Sequence, residues 1–223
     1  TLQAGNDLHA KAAHITTTQG ALLARAGNNV NLSAGQANQT VDEAHQHTGR
    51  SSAFSSKTIT TRDTRDQTTA QATTLSGKTT TVLANQNINL KGSNVVSDNG
   101  TTLSAQNNLN IAAATNTTVE SHFRDEKKSG IFSGGGIGIT IGTQQQNTDQ
   151  KNTTQTATAS TIGSTQGDIT LQAGKHYTQT GSDVIAPQGD IHITAQKIDL
   201  NEARETSHNH IESKFKQSGL TVA

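Results

Sequence analysis

One pattern occurs three times along this chain and limits what the chain can fold into. A short polar segment with β-branched residues, a turn and an alternating apolar segment recur around Gly20, Gly100 and Gly189, which are 80 and 89 residues apart. The copies that lead into these glycines read AAHITTTQG, GSNVVSDNG and GSDVIAPQG. A repeat whose units contain only short strands and polar turns predicts a stacked solenoid, because each unit buries its apolar face against its neighbours.

A second pattern sets the predicted length of one coil. The phrases Asn28–Leu32, Asn107–Ile111 and Gly189–Ile193 each join a turn residue to two apolar residues two positions apart, which lie on one face of a strand. Related phrases lie roughly 20 residues earlier, enough for three short strands and three turns. We therefore expect a parallel β-helix in which Leu32, Ile111 and Ile193 point inward along a shared axis.

The composition favours an elongated β structure over a globule. Only 30% of the residues are hydrophobic and 2% are aromatic, a balance also found in disordered chains. The polar excess here consists of Thr, Asn, Gln and Ser instead of net charge, and the Val, Ile and Leu residues alternate with polar ones. Because Cβ-branched residues suit a pleated surface, we interpret the chain as folded and all-β.

Several function classes are disfavoured by residue counts. There is no cysteine, so disulfides and thiol chemistry are excluded, and the missing methionine with a start inside the pattern leads us to expect a piece of a longer chain. The 17 basic and 17 acidic residues give zero net charge, with neither the basic excess nor the stripe that binding to nucleic-acid phosphates requires.

Long polar excursions interrupt the coils. We expect a single β-helix with coil segments at about 1–40, 78–118 and 164–205, and excursions at about 41–77, 119–163 and 206–223. The excursions are too long for coil corners, and their residues alternate as strands do. We interpret each as an antiparallel hairpin or small sheet whose Thr, Gln and charged residues keep its edges solvated.

These repeats resemble the filamentous haemagglutinin family, the large exoproteins of bacterial two-partner secretion. The phrases SGIFSGGGIGITIGTQQQ and KFKQSGLTVA resemble, more narrowly, the second haemagglutinin-repeat region of contact-dependent growth inhibition toxins. The resemblance covers essentially the whole chain, although no single motif in it is diagnostic.

The resemblance implies a right-handed parallel β-helix, export through an outer-membrane transporter and a position on the bacterial cell surface. In those toxins this region is associated with delivery of a C-terminal toxin across the outer membrane of the target cell. We therefore expect a non-enzymatic structural segment of a toxin-delivery exoprotein. The alternatives are the shaft of an adhesin that binds a host surface and a carbohydrate-active β-helix enzyme.

Histidines are the first candidates for a metal or pH-sensitive site. The sequence places His45 with His47, and His208 with His210, two apart on one strand face, while His122 falls in the matching part of the second unit. No cysteine and no carboxylate at a fixed spacing accompanies them. We interpret them as solvated strand residues and predict no metal, cofactor or catalytic site.

One excursion contains a pattern that membrane strands share. Ile137, Ile139 and Ile141 alternate with Gly138, Thr140 and Gly142, as apolar and polar residues do in outer-membrane strands. The alternatives are a hairpin that contacts a membrane and a plain sheet packed on the solenoid. The preceding Gly134–Gly136 run lacks the strand-to-helix context of a phosphate-binding loop, so we expect a turn.

An enzymatic β-helix would show a different set of residues. Polysaccharide lyases of this architecture need clustered carboxylates or a calcium site, a basic residue that accepts the proton, and aromatic residues that stack on sugars. The carboxylates Asp63, Asp66, Asp98 and Asp149 are scattered here, and aromatic residues are nearly absent. No G-x-S-x-G nucleophile motif occurs either. The sequence therefore predicts a non-enzymatic protein.

Overall fold

A computed structural model describes residues 1–52, 54–133 and 139–222, with side chains described outside 51–53, 132–138 and 221–223. The described chain is all-β, as predicted, and it divides into two units. The strands are β1 Leu2–Ala4, β2 Leu8–Lys11, β3 His14–Thr16, β4 Ala21–Ala26, β5 Val30–Ser33, β6 Gly35–Ser52, β7 Ser55–Gln71, β8 Thr73–Gly77, β9 Thr79–Ala84, β10 Ile88–Lys91, β11 Ser93–Ser97, β12 Thr101–Ala105, β13 Asn108–Ala112, β14 Ala114–Ser133, β15 Ile139–Thr158, β16 Thr161–Ser164, β17 Ile169–Ala173, β18 His176–Thr180, β19 Asp183–Ile185, β20 Ile191–Thr194, β21 Lys197–Asn201 and β22 Thr206–Val222.

The first unit, here the coil unit, comprises Thr1–Ala37, Thr68–Asn116 and Gln155–Glu205. Three parallel sheets form it, with strand orders β1-β4-β9-β12-β17-β20, β2-β5-β10-β13-β18-β21 and β19-β16-β11-β8-β3. One strand from each sheet makes one coil, and the pairs Leu2↔Ala24 and Ile169↔Ile191 put successive coils 22 residues apart. The predicted parallel β-helix is therefore confirmed, with a coil close to the predicted length.

Aliphatic side chains stack in columns inside the coils. Val82, Leu103 and Leu171 pair in successive strands of the first sheet and are fully buried. Leu75, Val95 and Ile162 form an equivalent column in the third sheet. The two strand faces alternate strictly, as in the burial of Val82 beside the half-exposed Leu83. Such a narrow dry core explains how so little hydrophobic material stabilises this unit.

Leu32, Ile111 and Ile193 all point into the core of the coil unit, as predicted, but only the first two belong to the same column. Leu90 lies between Leu32 and Ile111 in the second sheet, and all three are at most 1% exposed. Ile193 pairs instead with Leu171 in the first sheet and packs against the core from another side. The turn-plus-apolar phrase is the same in both sheets, so only pairing between coils distinguishes them.

Polar ladders run along one corner of the coil unit. The Oδ1 atom of Asp7 accepts hydrogen bonds from the backbone N and the side-chain Nδ2 of Asn29, both at 2.9 Å. Asn29 accepts the same pair from Asn87, and Asn87 accepts it from Asn108. These bonds lower the pKa of the Asp7 carboxyl, mainly through the backbone N–H of Asn29. The ladder satisfies corner amides that the sheets leave unpaired.

The second unit, here the sheet unit, comprises Asn38–Gln67, Thr117–Thr154 and Thr206–Ala223. It is built from five long strands in the order β22-β15-β14-β7-β6. The chain enters it after the second strand of coils two, four and six. The sequence placed the returns near residues 78 and 164, whereas the structure has them at Thr68 and Gln155. The third strand of each interrupted coil, β8 or β16, has a single large aliphatic residue, Leu75 or Ile162, among Thr, Ser and Gly residues that resemble the excursion itself.

Candidate functional site

Cross-strand contacts fix the register of the sheet unit. Thr48 and Thr58 hydroxyls lie 3.2 Å apart between β6 and β7, and Ser56 and Ser129 hydroxyls lie 2.7 Å apart between β7 and β14. Gln145 Nε2 donates to Asp125 Oδ1 at 2.8 Å between β14 and β15. Since side chains two apart share a face, these contacts define one face of the sheet, here the isoleucine face. The end where β6 leads into β7 is the hairpin end.

An apolar patch covers the isoleucine face at the hairpin end. The register of Asp125 with Gln145 places Ile131 opposite Ile139, and the close approach of Gly142 to Gly219 places Ile141 opposite Leu220. These four side chains are between 51% and 70% exposed. Clustered exposure of large apolar side chains on adjacent strands marks a contact surface, since single exposed hydrophobics are scattered on ordinary proteins.

The predicted alternation of this segment is present where the structure describes it. Ile139 and Ile141 are exposed on one face, and Thr140 between them is 1% exposed on the other. Ile137, Gly138 and the Gly134–Gly136 run lie outside the described residues. The exposed isoleucines do not pack on a core within the sheet unit.

A polar groove lies next to the apolar patch and runs across β7, β14 and β15. It encloses about 390 Å³. Asp125 lies beside it, accepts a hydrogen bond from Gln145 and forms an ion pair with the ammonium of Lys127 at 3.4 Å. The groove is therefore rich in hydroxyl, amide and ammonium groups, which come from Ser56, Thr58, Lys127, Ser129, Thr143 and Gln145. Lys128 and Gln144 also line it, although the alternation of the strands puts their side chains on the opposite face.

Charges are segregated along the sheet unit although the whole chain is neutral. The half toward the hairpin end (residues 45–61, 123–147 and 214–222) contains seven Lys and Arg and two Asp and Glu. The remaining half contains three Lys and Arg and seven Asp and Glu. The zero net charge of the whole chain thus conceals a sheet with one basic and one acidic end.

One carboxylate on the opposite face collects three cations. Glu126 accepts from Lys57 at 2.9 Å, from Lys128 at 3.0 Å and from Arg124 at 3.0 Å. These bonds, that of Lys57 first, lower the pKa of Glu126 to about 2 against a partial opposing effect of burial. The cluster links β7 to β14 through Lys57 and leaves two of the three positive charges uncompensated.

The structure separates the histidines that the sequence grouped. His45 and His47 lie on β6 and His208 and His210 on β22, the two opposite edges of the five-stranded sheet. His122 Nδ1 lies 2.9 Å from Asp63. Among the described residues no group of three or more His, Asp or Glu side chains is arranged to hold a metal ion.

Two features of the structure were missed by sequence reasoning. The groove joins residues from three strands up to 89 positions apart, which no local motif reveals. The charge segregation was detectable, since it appears when charges are counted separately in the two halves of each excursion.

In the coil unit, His176 Nε2 and Lys197 Nζ both lie 2.7 Å from Asp199 Oδ2, a surface network of polar contacts between successive coils.

Comparisons with known proteins agree with this architecture. A family model described as "Hemagglutinin repeat" matches residues 52–219. The chain is 42% identical over 117 residues to a tRNA nuclease CdiA of Escherichia coli O6:K15:H31, covering 51% of this chain and 4% of that protein. It is 39% identical over 115 residues to a 16S rRNA endonuclease CdiA of Enterobacter cloacae, covering 51% of this chain and 3% of that protein.

A third relative has yet another named activity. The chain is 38% identical over 113 residues to a deoxyribonuclease CdiA of Yersinia pseudotuberculosis, covering 51% of this chain and 10% of that protein. The chain thus spans a tenth or less of the length of these relatives. No solved structure matches it. No helix among the described residues is long and apolar enough to cross a bilayer.

Proposed function

Since this chain belongs to the hemagglutinin-repeat family, we propose that it is a non-enzymatic structural segment of a large secreted exoprotein that delivers a C-terminal toxin across a target cell's outer membrane. The observation that carries the proposal is a contrast among its relatives. Similar stretches, about half of this chain, occur in proteins named for cleavage of tRNA, of 16S rRNA and of DNA. A segment common to proteins with different activities does not contain the part that differs.

The two units support separate tasks in this proposal. The coil unit supplies a rigid shaft, because every strand of the inner coils pairs with the strands before and after it through parallel ladders. The sheet unit supplies a surface that meets the target membrane, because its hairpin end exposes Ile139 and Ile141 beside Leu220. In this proposal the exoprotein is exported through the outer-membrane transporter of a two-partner system and is displayed on the cell surface.

The membrane contact is tested with liposomes. Protein with Ile139→Asp and Ile141→Asp is compared with the unchanged protein for cosedimentation with vesicles. We expect the double variant to lose binding, because two carboxylates at the apolar patch oppose entry into hydrocarbon. Ile185→Asp, at an exposed isoleucine of the coil unit, is the matched control and is expected to bind like the unchanged protein. Equal, negligible binding of all three proteins would reject the membrane contact.

The delivery role is tested in the full-length exoprotein. The same two substitutions are introduced, and growth of co-cultured target cells is measured while an antibody quantifies the exoprotein on the producing cell. We expect normal surface display and loss of target-cell inhibition. The adhesin alternative predicts a different result. The unchanged exoprotein would attach to cells without inhibiting the growth of target cells, and the two substitutions would abolish that attachment.

A further inference from the structure

We propose that the isoleucine face of the sheet unit binds a phosphorylated glycolipid, with acyl chains on the apolar patch and the phosphorylated sugar in the adjoining polar groove. The inference rests on the proposed membrane contact and adds the class of lipid that is recognised. The inference depends on the apolar patch and the polar groove lying side by side, since neither surface alone would indicate a particular ligand. An apolar patch alone binds any hydrocarbon, and a polar groove alone binds any small polar solute.

The groove has the chemistry that a sugar requires. Ser56, Thr58, Ser129 and Thr143 contribute hydroxyl groups, which donate and accept hydrogen bonds as sugar hydroxyls do. Gln145 Nε2 is already engaged by Asp125, which leaves the carbonyl oxygen of that amide to accept from a ligand hydroxyl. The volume of about 390 Å³ accommodates one or two sugar rings.

Positive charges border the groove where a phosphate would lie. Lys127 is 60% exposed and pairs with Asp125 at 3.4 Å, a long contact that leaves its ammonium free to reorient. Lys216 lines a recess that shares Gln145 with the groove, and none of the described carboxylates lies within 4 Å of its ammonium. Lys127 on β14 and Lys216 on β22 thus lie on either side of β15 on the isoleucine face. Ammonium groups on both sides of the groove favour a phosphate, which lysine binds as a point charge.

The charge gradient of the sheet unit points to the same occupant. The basic end coincides with the apolar patch, and the acidic end lies away from it. Basic residues beside a membrane-facing apolar surface are attracted to anionic headgroups. A nucleic acid would be an alternative polyanion, but base recognition on a single strand uses aromatic stacking platforms, and the described groove is lined by none.

The test is flotation of the whole chain with three kinds of vesicle. One contains phosphatidylcholine alone, one adds phosphatidylglycerol, and one adds lipid A at equal anionic charge. We expect lipid A vesicles to bind at least fivefold more protein than phosphatidylglycerol vesicles, which lack the sugar. Equal binding to both anionic vesicles would overturn the glycolipid inference in favour of general attraction to anionic membranes. Equal binding to all three vesicles would overturn it in favour of contact with hydrocarbon only.

The lysines are tested by substitution and by salt. Lys127→Ala with Lys216→Ala is expected to lower binding to lipid A vesicles three- to tenfold, while Lys78→Ala with Lys175→Ala in the coil unit leaves it unchanged. Raising the salt concentration should weaken binding by the unchanged protein, a readout that needs no variant. If both double variants bind alike, or if salt has no effect, the inference is wrong. Loss of lipid A preference with intact toxin delivery would reject this ligand and leave the proposed function standing.

Discussion

The phenolic hydroxyl of Tyr177 donates a 2.7 Å hydrogen bond to Gln179 Oε1 inside the coil unit. Both residues belong to columns that are aliphatic in the coil before, where Leu109 and Ile111 occupy the same positions. The amide of Gln179 in turn donates to the carbonyl oxygen of Ser182 at 2.6 Å. Two polar residues thus enter an apolar spine without leaving either side chain unsatisfied.

Removal of the Tyr177 hydroxyl should destabilise the coil unit. Tyr177→Phe keeps the ring and leaves the side-chain oxygen of the half-buried Gln179 without its donor, and loss of such a hydrogen bond costs about 0.5–1.5 kcal/mol. Urea unfolding followed by circular dichroism measures this. A control at Thr178→Val, on the outward face of the same strand, should cost less. If the Phe variant is as stable as the unchanged protein, the hydrogen bond contributes nothing.

The same tyrosine makes stability fall at high pH. Burial raises its pKa to about 12, from an ordinary value of 10.0. Above pH 10 the unfolded chain loses the phenolic proton and the folded chain keeps it, so stability present below pH 10 is lost as the pH rises to 12. The loss approaches about 3 kcal/mol for a shift of two units. Since this is the only tyrosine, ultraviolet absorbance reports its ionisation directly.

Core columns should be far more sensitive than the outer strand faces. Leu103→Ala removes a fully buried side chain between Val82 and Leu171 and is expected to cost about 2–5 kcal/mol. Leu83→Ala, one residue from the same column but on the outward face, is expected to cost under about 1 kcal/mol. Denaturant unfolding compares the two variants. Equal costs would contradict the inward and outward assignment of the strand.

The asparagine ladder should be directional and sensitive to interruption. Asn87→Ala removes the acceptor of Asn108 and the donor to Asn29 together, and about 1–3 kcal/mol should be lost. Asn85→Ala, at an exposed turn position two residues earlier, is the control. Hydrogen exchange at the backbone N–H of Asn108 should accelerate in the first variant. Unchanged protection there would show that the side-chain ladder is dispensable.

Glu126 should make the sheet unit sensitive to acid. Its pKa is lowered to about 2 by Lys57, Lys128 and Arg124, so its contribution is complete above the ordinary value of 4.5 and is lost as the pH falls toward 2. Carbon-13 NMR of the glutamate carboxyl groups measures the titration. Glu126→Gln should flatten the dependence of stability on pH in this range. A midpoint near 4.5 would contradict the three-cation contact.

The fold class was readable from the sequence because each strand needs only two inward apolar residues and a turn residue, as Val30 and Leu32 after Asn29 illustrate. The same local simplicity explains the error over Ile193. A phrase that fits both the first and the second sheet carries no information on which one it joins. The column of Leu32 and Ile111 continues through Gln179 to Leu200, not to Ile193.

Sequence alone determined the period, the strand content and the alternation that exposes Ile139 and Ile141 on one face of β15, because these depend on neighbours along the chain. Only the tertiary structure decided which strands lie side by side. That decision brought Ile131 and Leu220 to the same patch, Ser56 and Lys127 to one groove, and the histidine pairs to opposite sheet edges. Pairing between residues tens of positions apart depends on backbone hydrogen bonds that any sequence offers, so the register is selected by packing of the whole sheet.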